Sequence, residues 1–333
     1  MNPEAFYGSA GTYAEQRQAL ARELHSRGLG AYVDYLKSLA RPAALFMPTP
    51  TPDAEIDVGR SKIGGWPDLP ADLDWPTADV VTFRSWNDFR VTGTYSIPFL
   101  LQIDLADLAD IELDIDLPRT GLLSVFHGAD HHEVYGDRYE GVRPGWRVLH
   151  FEDGVTLTQR SAIARAAHRS VADGPEVTFL AQLLQSRQIT TLPYLFDAFP
   201  LGAGTLADAD FDAMNEFEVE IDWTQNAVRL GGHARATGNG EPLSLTTPRR
   251  LHQEGDGDTY RTLEEVRAEG WRHLLTMSSR EYWDEFPDQG ELHVDYVNPT
   301  FGGDGVMGIY VRPTGNDWLS DAVLSHALAG VRR

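Results

Sequence analysis

A pattern that occurs twice in the same order constrains the fold of this chain more than any other sequence feature. Each copy has a basic residue, an apolar residue and Gly-Gly, then an apolar run, then a glycine-led apolar run. The first copy consists of Ser61–Pro67, Phe99–Asp104 and Gly121–Phe126, and the second of Arg229–His233, Trp271–Met277 and Gly305–Val311. Two copies are too few for a solenoid. They predict two related β-rich halves packed about a pseudo-twofold axis, the alternative being a chance match of short strings.

Helix signals open the chain. Thr12 and Glu15 form a capping box, and the helix that follows is expected to end at Gly28. A second short helix is expected over Ala31–Ala40, closed by Pro42.

Further along, short apolar runs bounded by turn residues predict strands. These are Ile97–Leu101, Gly121–Phe126, Trp146–Phe151, Val155–Leu157 and Phe217–Trp223, the last with the clearest alternation. Helices are expected at Ser161–Val171, at Thr178–Gln188 and from Thr262 to Gly270. Because proline has no amide hydrogen, the proline-rich segment Phe46–Asp53 is expected to be an extended connector rather than a central strand.

This irregular mixture predicts an α+β fold, with a mainly antiparallel β-rich body of two pseudo-repeated halves and an N-terminal helical extension. The length of 333 residues allows two domains or one large pseudo-symmetric domain. We expect one compact domain over about residues 43–325. The expected segments are a helical extension (1–42), a first β-rich half (43–160), a helical connector (161–216) and a second β-rich half (217–333).

The charge of the chain disfavours some classes of binding function and favours others. Asp and Glu number 50 against 28 Lys and Arg, a formal net charge of −22. Such a surface repels phosphate backbones, so nucleic-acid binding and docking to anionic membranes are disfavoured, whereas a basic protein partner is favoured. No run approaches the roughly 18 apolar residues of a membrane helix. The N-terminus carries no secretory signal and the chain has no cysteine, so a cytoplasmic protein is expected.

The first copy of the repeat resembles a known family. Ser61–Pro67, Leu69-Pro70 and Trp75-Pro76 are similar to the signature of the YwqG-like bacterial family, whose function is unknown. Phe99–Leu105, Leu117-Pro118 and Gly121–Leu123 match that family in order. The resemblance covers about residues 43–325 and implies a fold and a bacterial source, with no established activity.

The second half resembles the family more loosely. Leu230–His233 is similar to the family's second Gly-Gly element, and Phe301–Gly305 with Ile309–Val311 to its closing segment. Phe301 stands where tryptophan is usual. Leu274–Met277 stands where the family has a second Leu-Gln-Ile-Asp-like strand and lacks its Gln and Asp, so a polar pair formed by these groups in relatives would be only half present here.

The two glycine pairs are candidate anion-binding nests, because consecutive glycines let successive amides converge on one point. Lys62 and Arg229 would add a positive charge to each. The candidate ligand-binding residues are Lys62, Gly64, Gly65, Trp66, Asp104, Arg229, Gly231, Gly232, His233 and Asp304. In a site between the halves, Asp104, His233 and Asp304 would be the nearest acid or base candidates. The alternative is that each glycine pair marks a bulge or tight turn.

Other chemistry is weakly indicated. His127 with Asp130–Glu133 has the residue types of a zinc or manganese site without a recognised ligand spacing, and a solvated loop is favoured. Glu254–Glu265 resembles a calcium loop, but Thr259 stands where glycine is required. The aromatic and acidic string Glu281–Phe286 has the composition of a protein interface. No metal, cofactor or catalytic residue is predicted.

Two function hypotheses follow. The first is a non-enzymatic cytoplasmic binding protein that engages a basic protein partner through its acidic surface. The alternative is a hydrolase-like enzyme or a receptor that binds a small anionic ligand between the two halves.

Overall fold

The fold is taken from a computed structural model that describes residues 11–80, 93–127, 146–160, 180–193, 198–199, 206–221, 228–233, 268, 270–278, 306–312, 319 and 322–327. The helices there are α1 (Tyr13–Ser26), α2 (Val33–Leu39) and α3 (Asp208–Ile221). The strands are β1 (Arg41–Pro50), β2 (Lys62–Ile63), β3 (Asp68–Pro70), β4 (Thr77–Val80), β5 (Gly93–Ser96), β6 (Phe99–Asp104), β7 (Leu122–His127), β8 (Trp146–Phe151), β9 (Leu157–Gln159), β10 (Gln182–Thr191), β11 (Val228–Gly231), β12 (Arg272–Ser278), β13 (Val306–Val311) and β14 (Ala322–Ala327).

Ten of these strands form one antiparallel sheet in the order β14-β13-β12-β11-β1-β10-β2-β6-β7-β8. The long pair β1 and β10 is central. We call β2, β6, β7 and β8 the first half-sheet and β11 to β14 the second half-sheet. Two small sheets, β3 with β9 and β4 with β5, complete the described strands. The α+β class and the mainly antiparallel β-rich body are therefore confirmed.

The large sheet has two chemically different faces. Directly paired residues of antiparallel strands point to the same side of a sheet, so the register assigns each side chain to one of the two faces. The core face carries the main apolar cluster, which includes Ala44, Phe46, Ile63, Leu230 and Leu275. The polar face, which we define by five buried side chains, carries Lys62, Gln102, Ser124, Arg229 and Thr276.

The three helices form a cap with its own apolar cluster. Leu20 and Leu24 of α1 pack with Leu36 of α2 and with Met214 and Phe217 of α3. The predicted capping box is confirmed at the start of α1. The second predicted helix is also confirmed, as a 3₁₀ turn over Gly30–Tyr32 that continues into α2.

The expectation that Phe46–Asp53 is a connector is wrong over most of its length, because β1 lies in the middle of the sheet. The amide of Thr51 donates to the carbonyl of Ala181, directly before β10. The backbone amide and carbonyl groups of odd-numbered residues of β1 therefore point toward β10, and those of even-numbered residues point toward β11. Pro48 and Pro50 are both even-numbered. In the described chain β11 pairs with Ala43–Phe46, so these prolines lie beyond its ladder and cost it no hydrogen bond.

Two other sequence predictions are wrong. Phe217–Trp223, predicted as a strand, begins inside helix α3, where Met214 and Phe217 lie three residues apart and are both buried in the helical cap. Thr178–Gln188, predicted as a helix, contributes to β10, which is paired on both sides. In both places tertiary packing overrides a short local pattern.

The remaining strand predictions agree with the structure to within a few residues. Trp146–Phe151 is β8 without change, and Gly121–Phe126 is shifted by one residue in β7. The predicted helix Ser161–Val171 lies outside the described residues.

Candidate functional site

The first glycine pair forms a nest that already holds a carboxylate. Gly64 and Gly65 have φ values of 63° and 66°, in the left-handed region that favours glycine. The amide of Trp66 donates to Oδ2 of Asp53 at 2.7 Å, and Nζ of Lys62 donates to Oδ1 at 3.0 Å. A Cβ atom at Gly65 would lie 2.5 Å from that carboxyl group. Asp53 is thus the anion bound in this cradle.

Lys62 is 0% exposed and lies between two carboxylates. Besides Asp53, its Nζ lies 3.7 Å from Oδ1 of Asp68. Asp68 is also fully buried, and its Oδ2 accepts from Nε2 of Gln102 at 2.6 Å and from the amide of Gly59 at 2.8 Å. Charge-assisted hydrogen bonds offset the cost of burying these charges.

The second glycine pair is a similar nest with different acceptors. Gly231 and Gly232 have φ values of 76° and 71°. The amide of Gly232 donates to Oδ1 of Asp114 at 2.6 Å, and the amide of His233 donates to Oγ1 of Thr191 at 2.9 Å. The ring of His233 is within hydrogen-bond distance of the Leu39 carbonyl, with Nε2 and O 2.7 Å apart. This nest therefore ties the sheet to the segment around Asp114 and to the end of α2.

The two cations share a face of the sheet but lie apart. Lys62 is paired with Leu183, and Arg229 with Leu45. β1 and β10 separate their strands, so about 14 Å lies between them across the sheet at the usual strand spacing. The joint site between the halves stays a prediction, and Asp304, proposed for it, lies outside the described residues.

Asp104, the other candidate acid, ends β6. Its backbone amide donates to Oγ of Ser61, whose hydroxyl donates to Oδ2 of Asp107. Burial raises the pKa of Asp104, although the hydrogen bond from the Ala106 amide acts in the opposite direction. The pKa shift favours the protonated carboxyl relative to a free aspartate.

The chain after Asp104 carries an acidic ridge, which we define as Asp104, Asp107, Asp110, Glu112 and Asp116. Between these acids and directly after the last of them are buried apolar side chains of the main core cluster. They are Leu105, Leu108, Ile111, Ile115 and Leu117. Asp110, Glu112 and Asp116 are exposed. This pattern directs the apolar side chains into the core and the carboxylates of Asp110, Glu112 and Asp116 to solvent, whereas Asp104 and Asp107 are half-buried.

A polar group in the second half-sheet was not found by sequence reasoning. Nδ1 of His273 lies 3.0 Å from the Gly231 carbonyl oxygen, and Nε2 lies 2.5 Å from Oγ1 of Thr276. Both residues are buried. Their three-residue spacing gives no signal until a β-bulge at Leu274 is known.

In the described part of the chain, no group of three or more histidine or carboxylate side chains is arranged to hold a metal ion. Of the loop His127–Glu133, for which the sequence favours a solvated loop over a metal site, only His127 is described. None of the helices in the described ranges is long and apolar enough to cross a membrane.

Comparison with known proteins identifies the family. The model of a domain of unknown function (DUF1963) matches residues 61–314, which is well over half of the chain, and the chain belongs to this family. The matched span begins at the first cradle and includes both glycine pairs. No curated protein matches the chain.

Proposed function

We propose that this chain is a binding protein that engages a basic protein partner through the acidic ridge. The observation that carries the proposal is the exposure of Asp110, Glu112 and Asp116 on a segment whose intervening residues Ile111 and Ile115 are buried in the core. A fixed array of carboxylates attracts a cationic surface and accelerates encounter with it.

Hydrogen bonds from the sheet hold the ridge in place. Oε1 of Gln188 accepts from the amide of Glu112 at 2.7 Å, while Nε2 of Gln188 donates to the Glu112 carbonyl at 3.1 Å. Oγ of Ser186 donates to the Asp107 carbonyl at 2.8 Å. Asp114 is fixed by the Gly232 amide. A surface ordered before binding loses less entropy when the partner docks.

The glycine nests favour this proposal over an anion-binding enzyme between the halves. Asp53 and Asp114 already accept from the amides that would hold an external anion. The nests then serve to fasten segments of the chain, and the acidic surface is the part directed toward other molecules.

We further infer that the sheet consists of two related halves. A twofold rotation between β1 and β10 would exchange these strands and superpose β2, β6, β7 and β8 on β11, β12, β13 and β14 in order. Bulges support this relation, because the register shifts between Phe99 and Leu101 in one half and between His273 and Leu275 in the other. Each bulge lies in the second strand of its half-sheet.

The nests support the same relation at the level of atoms. The residue after each glycine pair donates its amide to a side chain supplied from the end of a central strand or just past it. Trp66 donates to Asp53, which follows β1, and His233 donates to Thr191, which ends β10.

The proposal also includes a YwqG-like type and a cytoplasmic location. The residues that resemble the YwqG-like signature from Ser61 onward lie within the matched span, which supports a YwqG-like type. The absence of cysteine favours a cytoplasmic protein.

The test is binding of an oligo-arginine peptide to the full chain, measured by fluorescence anisotropy over a salt series. In the ridge variant, Asp110→Asn, Glu112→Gln and Asp116→Asn are combined. We expect affinity to fall about tenfold, because each lost exposed charge pair contributes a few tenths of a kcal/mol to about 1 kcal/mol. Rising salt should weaken wild-type binding.

The matched control removes the same three charges from the helical cap, through Asp34→Asn, Asp212→Asn and Glu216→Gln, all at exposed positions. It should bind within about twofold of wild type if the ridge is the site. Equal losses in the two triple variants would mean that net charge alone attracts the peptide, and the ridge proposal would be wrong.

A further inference from the structure

The methionines in the described part of the chain differ sharply in exposure. Met47 is 39% exposed, whereas Met214, Met277 and Met307 are 2%, 1% and 0% exposed. Met214 belongs to the apolar cluster of the helical cap, and Met277 and Met307 belong to the main core cluster. A dissolved oxidant reaches a thioether sulfur only where the side chain is accessible. Among these four residues, Met47 is therefore the one that an oxidant can reach in the folded protein.

The exposure of Met47 follows from the strand pairing, although β1 lies in the middle of the large sheet. Met47 is paired with Gln185 of β10, which is also exposed. In the described chain, β11 pairs only with Ala43–Phe46 of β1, and β2 pairs only with Gln182 and Leu183 of β10. The pair formed by Met47 and Gln185 therefore falls between these two ladders. Neither residue has a directly paired neighbour on its outer side within the described ranges.

The backbone that carries Met47 is nevertheless held on both sides along the strand. Its pair lies inside the ladder between β1 and β10, which extends from Arg41 to Pro50. A polar oxygen added to the sulfur would stay in contact with water. The same oxygen on Met277 or Met307 would have to be buried among apolar side chains, which is costly when it has no hydrogen-bond donor. The folded chain can therefore accept oxidation at Met47 and resists it at the buried positions.

We propose that Met47 is a site of reversible oxidation by hydroperoxides in the folded protein. A lone pair of the thioether sulfur attacks one oxygen of the peroxide, so that an S–O bond forms while the O–O bond breaks. With hydrogen peroxide the second oxygen leaves as water, the sulfur being oxidised and the peroxide reduced. The product is a sulfoxide, which methionine sulfoxide reductases convert back to methionine. The proposal does not depend on the acidic ridge.

The experiment is a time course of the full chain with hydrogen peroxide, in which the mass of one added oxygen is followed at each methionine by peptide mapping. In the folded protein we expect oxidation of Met47 to be about tenfold faster, or more, than that of Met214, Met277 and Met307. In urea the four rates should lie within about twofold of one another, because unfolding removes the difference in burial.

Met47→Leu replaces the thioether with a side chain of similar volume and should abolish the fast reaction. Met214→Leu is the matched control, because it removes a buried methionine and should leave the rate at Met47 unchanged. The singly oxidised wild-type protein should melt within about 2 °C of the reduced protein, as a change at an exposed side chain has a small effect on stability. Methionine sulfoxide reductases should restore its reduced mass without prior unfolding.

Two results would overturn the proposal. Equal rates at Met47 and the buried methionines in the folded protein would show that exposure does not select the site. A preference for Met47 that persists in urea would show that local sequence, rather than the fold, makes it reactive. A large loss of melting temperature on oxidation of Met47, or failure of the reductases to act on the folded protein, would contradict reversible oxidation within an intact fold.

Discussion

At the residue scale, the glycine pairs are visible in the sequence, but the side chains that they bind are not. The pattern marks four positions with positive φ, Gly64, Gly65, Gly231 and Gly232, and whether they serve as anion-binding nests or as tight turns stays a prediction. Nothing in the linear sequence identifies Asp53 as the anion that occupies the first one. Asp53 lies nine residues before Lys62, and among 50 acidic residues it has no distinguishing neighbour. Its role becomes visible only when the chain is folded.

Two glycines with similar backbone conformation provide a direct test of this role. Gly28 has φ +77° and open space where a Cβ would lie, whereas a Cβ at Gly65, with φ +66°, would meet the Asp53 carboxyl group. We expect Gly28→Ala to lower the free energy of unfolding by about 1 kcal/mol, the cost of a left-handed residue. Gly65→Ala should lower it by about 3 kcal/mol or more, because Asp53 must also move away from the buried Lys62.

The measurement is urea unfolding at equilibrium, with both variants compared with wild type. Similar losses for the two variants would show that the nest contributes only backbone strain and that the contact between Asp53 and Lys62 adds little to stability.

At the element scale, sequence reasoning succeeds where local signals and tertiary packing agree. The capping box at Thr12 and the apolar run at Trp146–Phe151 give the start of α1 and the whole of β8. It fails for α3, whose alternating apolar residues from Phe217 onward fit a strand equally well. It fails for β10 because Leu180, Leu183 and Leu184 have the spacing of one helix face, whereas the pairing of this segment with β1 and β2 is not visible in the linear sequence.

The central strand β1 yields a prediction about proline. The backbone of Pro48 points toward the β11 side but lies beyond the described pairing of β1 with β11. Ala44, also even-numbered, is paired with Leu230. We expect Pro48→Ala to change stability by less than about 0.5 kcal/mol. Ala44→Pro should lower the free energy of unfolding by about 1–3 kcal/mol or more, since it leaves a buried ladder acceptor without its donor.

Thermal and urea unfolding of the two variants measure this difference. A strong loss of stability in Pro48→Ala, or none in Ala44→Pro, would contradict the assignment of even-numbered residues to the β11 side.

At the scale of the whole molecule, the order of the ten strands is compatible with the two related halves that we propose. The repeat predicts two related halves, and the order of the ten strands reads symmetrically outward from β1 and β10. The linear sequence does not reveal that each central strand lies next to the other half's sheet, β1 beside β11 and β10 beside β2. Because β1 and β10 lie between β11 and β2, the strands of Lys62 and Arg229 are three strand spacings apart in one sheet. Gln188 and Gly232 bind the segment that carries the acidic ridge, which is the surface on which the proposed function depends.

Hydrogen–deuterium exchange with and without an oligo-arginine peptide tests the role of the ridge most directly. We expect slower amide exchange on peptide binding in fragments that cover residues 104–117, with α1 and α2 unchanged, and loss of this protection in the ridge variant. Protection spread evenly over the exposed acidic positions, or concentrated on the helical cap and absent from 104–117, would contradict it.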